Sequence, residues 1–194
     1  RVHVKPHFYQ GIPKPAEWKD KGDYIIFAGR LTPEKGIETL IRAWLLWGGQ
    51  APELRILGDG ILREPLQRLA QSCQGIRIHF YGLVSSEDAT REISRAKLLV
   101  LPSECFECFP MVIREAFAFG TPVAASNLGP LPSIVKHGVN GVVFPPCNAK
   151  TLVQTVRNIW EKPGELEKIS RGSYESFLCY YTEEKNYGML MEIY

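Results

Sequence analysis

The sequence predicts an α/β fold in which a parallel sheet carries helices on both faces. Three observations point there. Apolar runs of strand length alternate with segments of helical periodicity from Tyr24 onward, the pattern of strand-helix-strand units. The runs close on glycine corners, at Gly29, Gly58 and Gly82, and a helix follows each; glycine is the residue that marks such turns. Parallel strands joined by helices need right-handed crossovers, which bring the strand ends Arg30, Asp59, Leu83 and Glu107 to one edge, where a ligand binds.

Composition excludes several functions. With 23 Lys and Arg against 21 Asp and Glu, the chain has neither a nucleic-acid-binding surface nor a polybasic membrane anchor. No apolar run approaches the roughly 20 residues of a membrane span. The 194 residues suffice for one well-buried domain and not for two of full size. Opening on Arg1 without Met or a signal-like apolar region, the chain reads as an excised half of a larger protein. Five cysteines, Cys73, Cys105, Cys108, Cys147 and Cys179, fit the reduced thiols of a cytosolic protein better than a disulfide framework. Cys105-x-x-Cys108 has the spacing of a redox motif or half a zinc site, but there is no second pair and no nearby His, and several strand-helix units precede it.

Residues 1–22 read as a leading segment, with a short strand over 2–4 and then a proline-rich stretch. The domain is expected over 23–180. Its first strand, over 24–28, ends at Gly29, and Thr32 is a natural N-cap, with Pro33 at the first helical position, for a helix running to about Trp47. Ile37, Leu40, Ile41, Trp44 and Leu45 recur at helical spacing and mark its core face. Arg30 and Lys35 flank this corner, either as anion ligands or as ordinary surface cations.

The next strand, over 53–57, closes on Gly58-Asp59-Gly60. A G-x-G-x-x-G fingerprint is absent, so the glycines serve close approach to a ligand or to another loop, and Asp59 is a turn former. A helix over 64–72, a strand over 76–80 and a helix capped by Ser86 and running to about Ala96 follow. After Ser126 a loop opens a short helix that stops at His137-Gly138; His137 at its end is structural, and Asn140-Gly141 is a turn before a strand over 142–144. From Asn148 onward the pattern is helical: a helix through Trp160, a break at Pro163-Gly164, a helix to about Phe177, and a last one over 182–194.

The chemistry gathers in residues 98–126, a strand, a turn rich in acid and cysteine, and a helix opened by Pro110 and closed by Gly120. Met111, Val112, Ile113, Ala116, Phe117, Ala118 and Phe119 leave only Arg114 and Glu115 polar, so the helix is buried on most faces. Glu115 is then a carboxylate with little water, in need of partners from protein or ligand, unless it sits at the rim. Glu107 stands eight residues earlier. If helical throughout, that spacing is roughly 12 Å, too long for an acid-base pair on one bond and suited to an extended ligand with an anion in its middle, as a nucleotide sugar is.

Glu107 and Glu115, in the frame E-x7-E followed by A-F-A-F-G-T-P-V, are similar to the signature of family 4 retaining glycosyltransferases, which have the two-domain glycosyltransferase B architecture. The resemblance implies a Rossmann-like donor-binding half, with Glu107 facing the donor sugar and Glu115 holding the ribose hydroxyls. Gly29-Arg30 to Lys35-Gly36 resembles the diphosphate-binding segment, which makes Arg30 and Lys35 catalytic alongside Glu107. Gly29, Gly58, Leu83, Cys108, Phe109, Pro110, Met111 and Val112 complete the implied donor site, with the loop at Leu83 against the base. Ser133 stands where the family often has Glu, so that loop's role is not carried over.

The implied function is transfer of a sugar from a nucleotide donor such as UDP- or GDP-hexose, in the cytoplasm, with membrane association only through a missing N-terminal acceptor domain. Residues 181–194 would be the helix crossing back to that domain. No D-x-D motif is present, so no metal cofactor is expected. A nucleotide-sugar epimerase and a non-catalytic nucleotide-sugar-binding module are the alternatives.

Overall fold

The computed structural model describes residues 5–72 and 74–194; the strand expected over 2–4 and Cys73 lie outside them. Six strands form one parallel sheet: β1 (Gly22–Ala28), β2 (Glu53–Leu57), β3 (Ile78–Gly82), β4 (Ala96–Leu101), β5 (Val123–Ser126) and β6 (Gly141–Phe144), in the order β3-β2-β1-β4-β5-β6. The order reverses between β1 and β4, which is the switch point where open α/β sheets bind ligands. The helices are α1 (Ile37–Trp47), α2 (Arg63–Gln71), α3 (Ser86–Arg95), α4 (Met111–Ala118), α5 (Leu131–Ile134), α6 (Ala149–Trp160), α7 (Pro163–Tyr180) and α8 (Glu183–Ile193).

Successive side chains of a strand point to opposite faces, and the core divides accordingly. Ile25, Phe27, Leu54, Ile56, Leu98 and Val100 pack with α1, α2 and α6 on one face. Tyr24, Ile26, Leu57, Leu99 and Leu101 pack with α3, α4 and α5 on the other. Each face therefore buries a separate apolar layer, which is why strands such as Leu98-Leu99-Val100-Leu101 are apolar without alternation.

Several local expectations change. Thr32 is not the cap of α1: its hydroxyl donates to Glu34 Oε1 (2.7 Å), Pro33–Lys35 form a 3₁₀ turn, and α1 starts after Gly36. Ser85, not Ser86, caps α3 by accepting from the Asp88 amide at 3.0 Å. Ser85 is the serine that stands three residues before an acid, and its hydroxyl also donates to the Asp88 carboxylate (2.7 Å). Pro110 is the N-cap residue of α4 and Met111 its first turn. Pro163 opens α7 instead of breaking a helix, a position where its missing N–H costs nothing. The helix expected to reach His137 ends at Ile134. The turn expected at Asn140-Gly141 is present over 138–140 and leads directly into β6 at Gly141; Asn140 is also buried there, accepts from the Lys136 amide and donates to Ile134 O and Ser176 Oγ. His137 is structural, but through Nδ1 accepting from the Val143 amide (3.2 Å) instead of as a cation at a helix end.

The helix α4 closes as predicted at Gly120. Thr121 N–H bonds to Ala116 O and Gly120 N–H to Phe117 O, with Gly120 left-handed at φ 61°, which is a Schellman closure. Below it lies Lys21, 5% exposed. Its Nζ donates to Thr121 Oγ1 (2.9 Å), Ser94 O (2.8 Å), Ala96 O (3.3 Å) and Phe119 O (3.3 Å). The amine thus ties the C-terminal ends of α3 and α4.

The two ends of the described chain meet. Lys5 Nζ donates to Asn186 Oδ1 (2.7 Å), Asn186 Nδ2 donates to Pro6 O (2.6 Å), and the Tyr9 amide donates to Tyr181 O (2.9 Å). Tyr187, Met191, Ile193 and Tyr194 on and after α8 remain exposed.

Candidate functional site

The loops after β1 and β4 converge at the switch point. Gly36 has φ 64°, and a Cβ there would fall 1.9 Å from Pro102 O, so only glycine lets these loops touch. The contact is fastened by Glu104 N–H donating to Glu34 O (2.9 Å) and by Thr39 Oγ1 donating to Glu104 Oε1 (2.6 Å). The consequence is a short distance between two charges. Lys35 Nζ lies 2.6 Å from Glu107 Oε1, with side chains only 18% and 12% exposed. Ser103 Oγ donates to the same carboxylate oxygen (2.7 Å), and Ser103 O accepts from Ser126 Oγ (2.6 Å) on β5.

This pair opens onto a cleft of about 300 Å³ lined by Phe27, Ala28, Gly29, Lys35, Leu101, Glu107, Phe109, Pro110, Met111 and Val112. Seven expected site residues, Gly29, Lys35, Glu107, Phe109, Pro110, Met111 and Val112, are therefore neighbours in space. The rest stand around it. Arg30 is at the rim, 73% exposed, with Nη2 3.5 Å from Glu34 Oε1. Gly58 backs onto Gly29, where a Cβ would lie 1.9 Å from Gly29 O, so its glycine serves loop-to-loop approach. Asp59 closes that turn, accepting from the Gly60 amide and from Arg63 (both 2.7 Å). Leu83 is 82% exposed after β3. Cys108 faces a separate groove of about 800 Å³ on the other side of Phe109, toward α7; that larger space lies away from the Lys35–Glu107 pair.

Glu115 does not line the cleft. It sits on α4 three residues past Val112 and four past Met111, hence on the same face and one turn deeper. Burial raises the Glu115 carboxyl above its ordinary pKa, opposed by the charge of Arg114, and no hydrogen bond contributes. The sequence expected this carboxylate to have a partner; the described residues supply only a neighbouring charge.

Sequence reasoning missed Ser103, the hydroxyl that steadies Glu107. Its signal was its place, two residues past the end of β4 and four before Glu107. The cysteines Cys105, Cys108, Cys147 and Cys179 are free thiols. Among the described residues no three His, Cys, Asp or Glu side chains gather as a metal site requires, and no helix is long and apolar enough to cross a membrane.

Comparison with known proteins adds to this geometry. The family described as "Glycosyl transferases group 1" matches residues 10–176. An uncharacterized glycosyltransferase of Methanocaldococcus jannaschii is 36% identical over 154 residues, 78% of this chain and 39% of that protein. A D-rhamnosyltransferase of Pseudomonas aeruginosa is 30% identical over 172 residues, 84% of this chain and 44% of that protein. Among solved structures, a sucrose-phosphate synthase from Thermosynechococcus elongatus superposes with a TM-score of 0.79 at 26% identity, covering 92% of this chain and 46% of that one. The chain thus spans less than half the length of each of these three. With a family match across most of its residues, the chain belongs to the group 1 glycosyl transferases.

Proposed function

We propose that this chain is the donor-binding, C-terminal half of a retaining glycosyltransferase of family 4, which takes a sugar from a nucleotide diphosphate donor such as a UDP- or GDP-hexose in the cytoplasm. The observation that carries the reading is the Lys35–Glu107 pair at the sheet's switch point, opening onto a cleft next to the start of α4. A diphosphate lodged there meets the Lys35 ammonium, with the exposed Arg30 at the rim as a second cation, while Glu107 accepts from sugar hydroxyls. Fixed charges of this kind stabilise the leaving diphosphate as the glycosidic bond breaks, and they need no rearrangement to do so. Glu115, one turn deeper, is left for the ribose.

The family match favours transfer over the epimerase alternative. A binding module without catalysis is separated from a transferase by turnover of the whole protein. The acceptor must be held within about 3 to 3.5 Å of the anomeric carbon with water excluded, and that is the task assigned to the missing N-terminal domain. The expected result for the 194-residue chain is therefore binding of a nucleoside diphosphate hexose in ligand-observed NMR, with negligible transfer. A folded sample that binds no member of a UDP- and GDP-sugar panel would overturn the donor reading, and robust transfer by the chain alone would overturn its assignment as a half.

A further inference from the structure

A second polar group on α4 lacks a partner. Arg114 Nε is fully enclosed and makes no hydrogen bond, the one such buried side-chain nitrogen or oxygen among the described residues. An enclosed N–H without an acceptor forfeits its hydration and gains nothing in return. An acceptor on a bound ligand would restore what this group has lost.

Position says which ligand. Arg114 and Glu115 follow Met111 by three and four residues, so both lie on the face of α4 whose first turn lines the cleft. One unmet donor and one unmet carboxylate are thus consecutive residues of α4, each feeling the other's charge and both acting on the Tyr9 phenol. A hydroxyl both donates and accepts, whereas a carboxylate only accepts and a guanidinium only donates. A single ligand hydroxyl satisfies both at once, and the ribose of a nucleotide carries such hydroxyls.

We propose that Arg114 is a specificity-determining residue for the donor: its Nε–H donates to a ribose hydroxyl that in turn donates to Glu115. The inference rests on the nucleotide-donor reading.

The test is calorimetry of UDP and GDP and of their 2′-deoxy counterparts on the wild type, Arg114→Met and Arg114→Lys. For whichever diphosphate binds, wild type should prefer the ribose form, and both variants should lose about tenfold in affinity for it, as one charge-assisted hydrogen bond implies. Affinity for the deoxy form should stay within twofold, so the preference collapses. Thermal melting of the free proteins supplies the second readout: Arg114→Met should be as stable as wild type or more so, because an unmet buried donor is gone. A lower melting temperature with the ribose preference intact would make Arg114 a packing residue and overturn the proposal. If Arg114→Met fails to fold, the Lys variant decides by the same preference. Absence of any diphosphate binding by wild type overturns the donor reading and this inference together; binding with an unchanged preference overturns the Arg114 role alone.

Discussion

Lys21→Met is expected to lower stability by about 3 kcal/mol near pH 9. The substitution keeps the volume and removes the donor around which three carbonyls and Thr121 Oγ1 are gathered. Unmet buried acceptors cost about 1 to 3 kcal/mol each before relaxation. For a domain of this length that is roughly 6 to 12 °C in Tm. The effect depends on pH, because burial pulls the Lys21 amine down to about 7, whereas in the unfolded chain it titrates near 10.4. Between those values the unfolded chain binds the proton that the folded one refuses. Stability therefore rises with pH across this window and is lower, and flat, below it. The difference between wild type and Lys21→Met should accordingly shrink as pH falls from 10 to 7. Denaturant melts of both proteins at several pH values check this; a gap that widens toward pH 7, or no gap at pH 9, is the contrary result.

Lys35→Ala is expected to weaken nucleoside diphosphate binding 10- to 100-fold, since a hydrogen bond to an ionised partner contributes about 1.5 to 3 kcal/mol. Nucleosides lacking phosphate should bind as before. The same change strips Glu107 of its counter-ion and leaves it with Ser103 alone, so the free protein should also lose about 2 kcal/mol, the pair being buried but not sealed from water. Two effects on one residue need separating. Adding Glu107→Gln to Lys35→Ala removes the stranded charge, which should restore most of the stability while leaving diphosphate affinity low, a coupling that a double-mutant cycle measures. Equal losses for nucleoside and diphosphate in calorimetry would mean that Lys35 does not meet phosphate.

The alternation of strands and helices was legible because each element repeats its period over many residues, and one face of α1 reads directly from Ile37, Leu40, Ile41 and Trp44. Both corners of the cleft were legible too, since glycine and proline mark strand ends. What escaped was decided by contacts distant in sequence. Whether Thr32 caps a helix depends on Glu34 competing for its hydroxyl and on Gly36 folding against Pro102. The turn at Asn140 was legible, but its bond to Ser176, 36 residues away, was not. Lys21 was not singled out at all, because nothing near it in sequence announces that its amine reaches Ser94 and Phe119. In the site, Lys35 and Glu107 were each recognised as candidates, but their 2.6 Å contact follows from β1 and β4 being neighbours in the sheet, which only the strand order reveals.

The ties between the two ends of the described chain also bear on the order in which it folds. Lys5 and Asn186 are 181 positions apart, so joining them closes a loop almost as long as the chain, and the entropy lost in that closure is offset only once the sheet between them is in place. These bonds should therefore be absent from the folding transition state. Asn186→Ala would then accelerate unfolding and leave the folding rate unchanged, placing its φ-value near 0. A slowed folding arm in stopped-flow measurements would show instead that the ends meet early, and that the sheet is assembled inside a loop already closed.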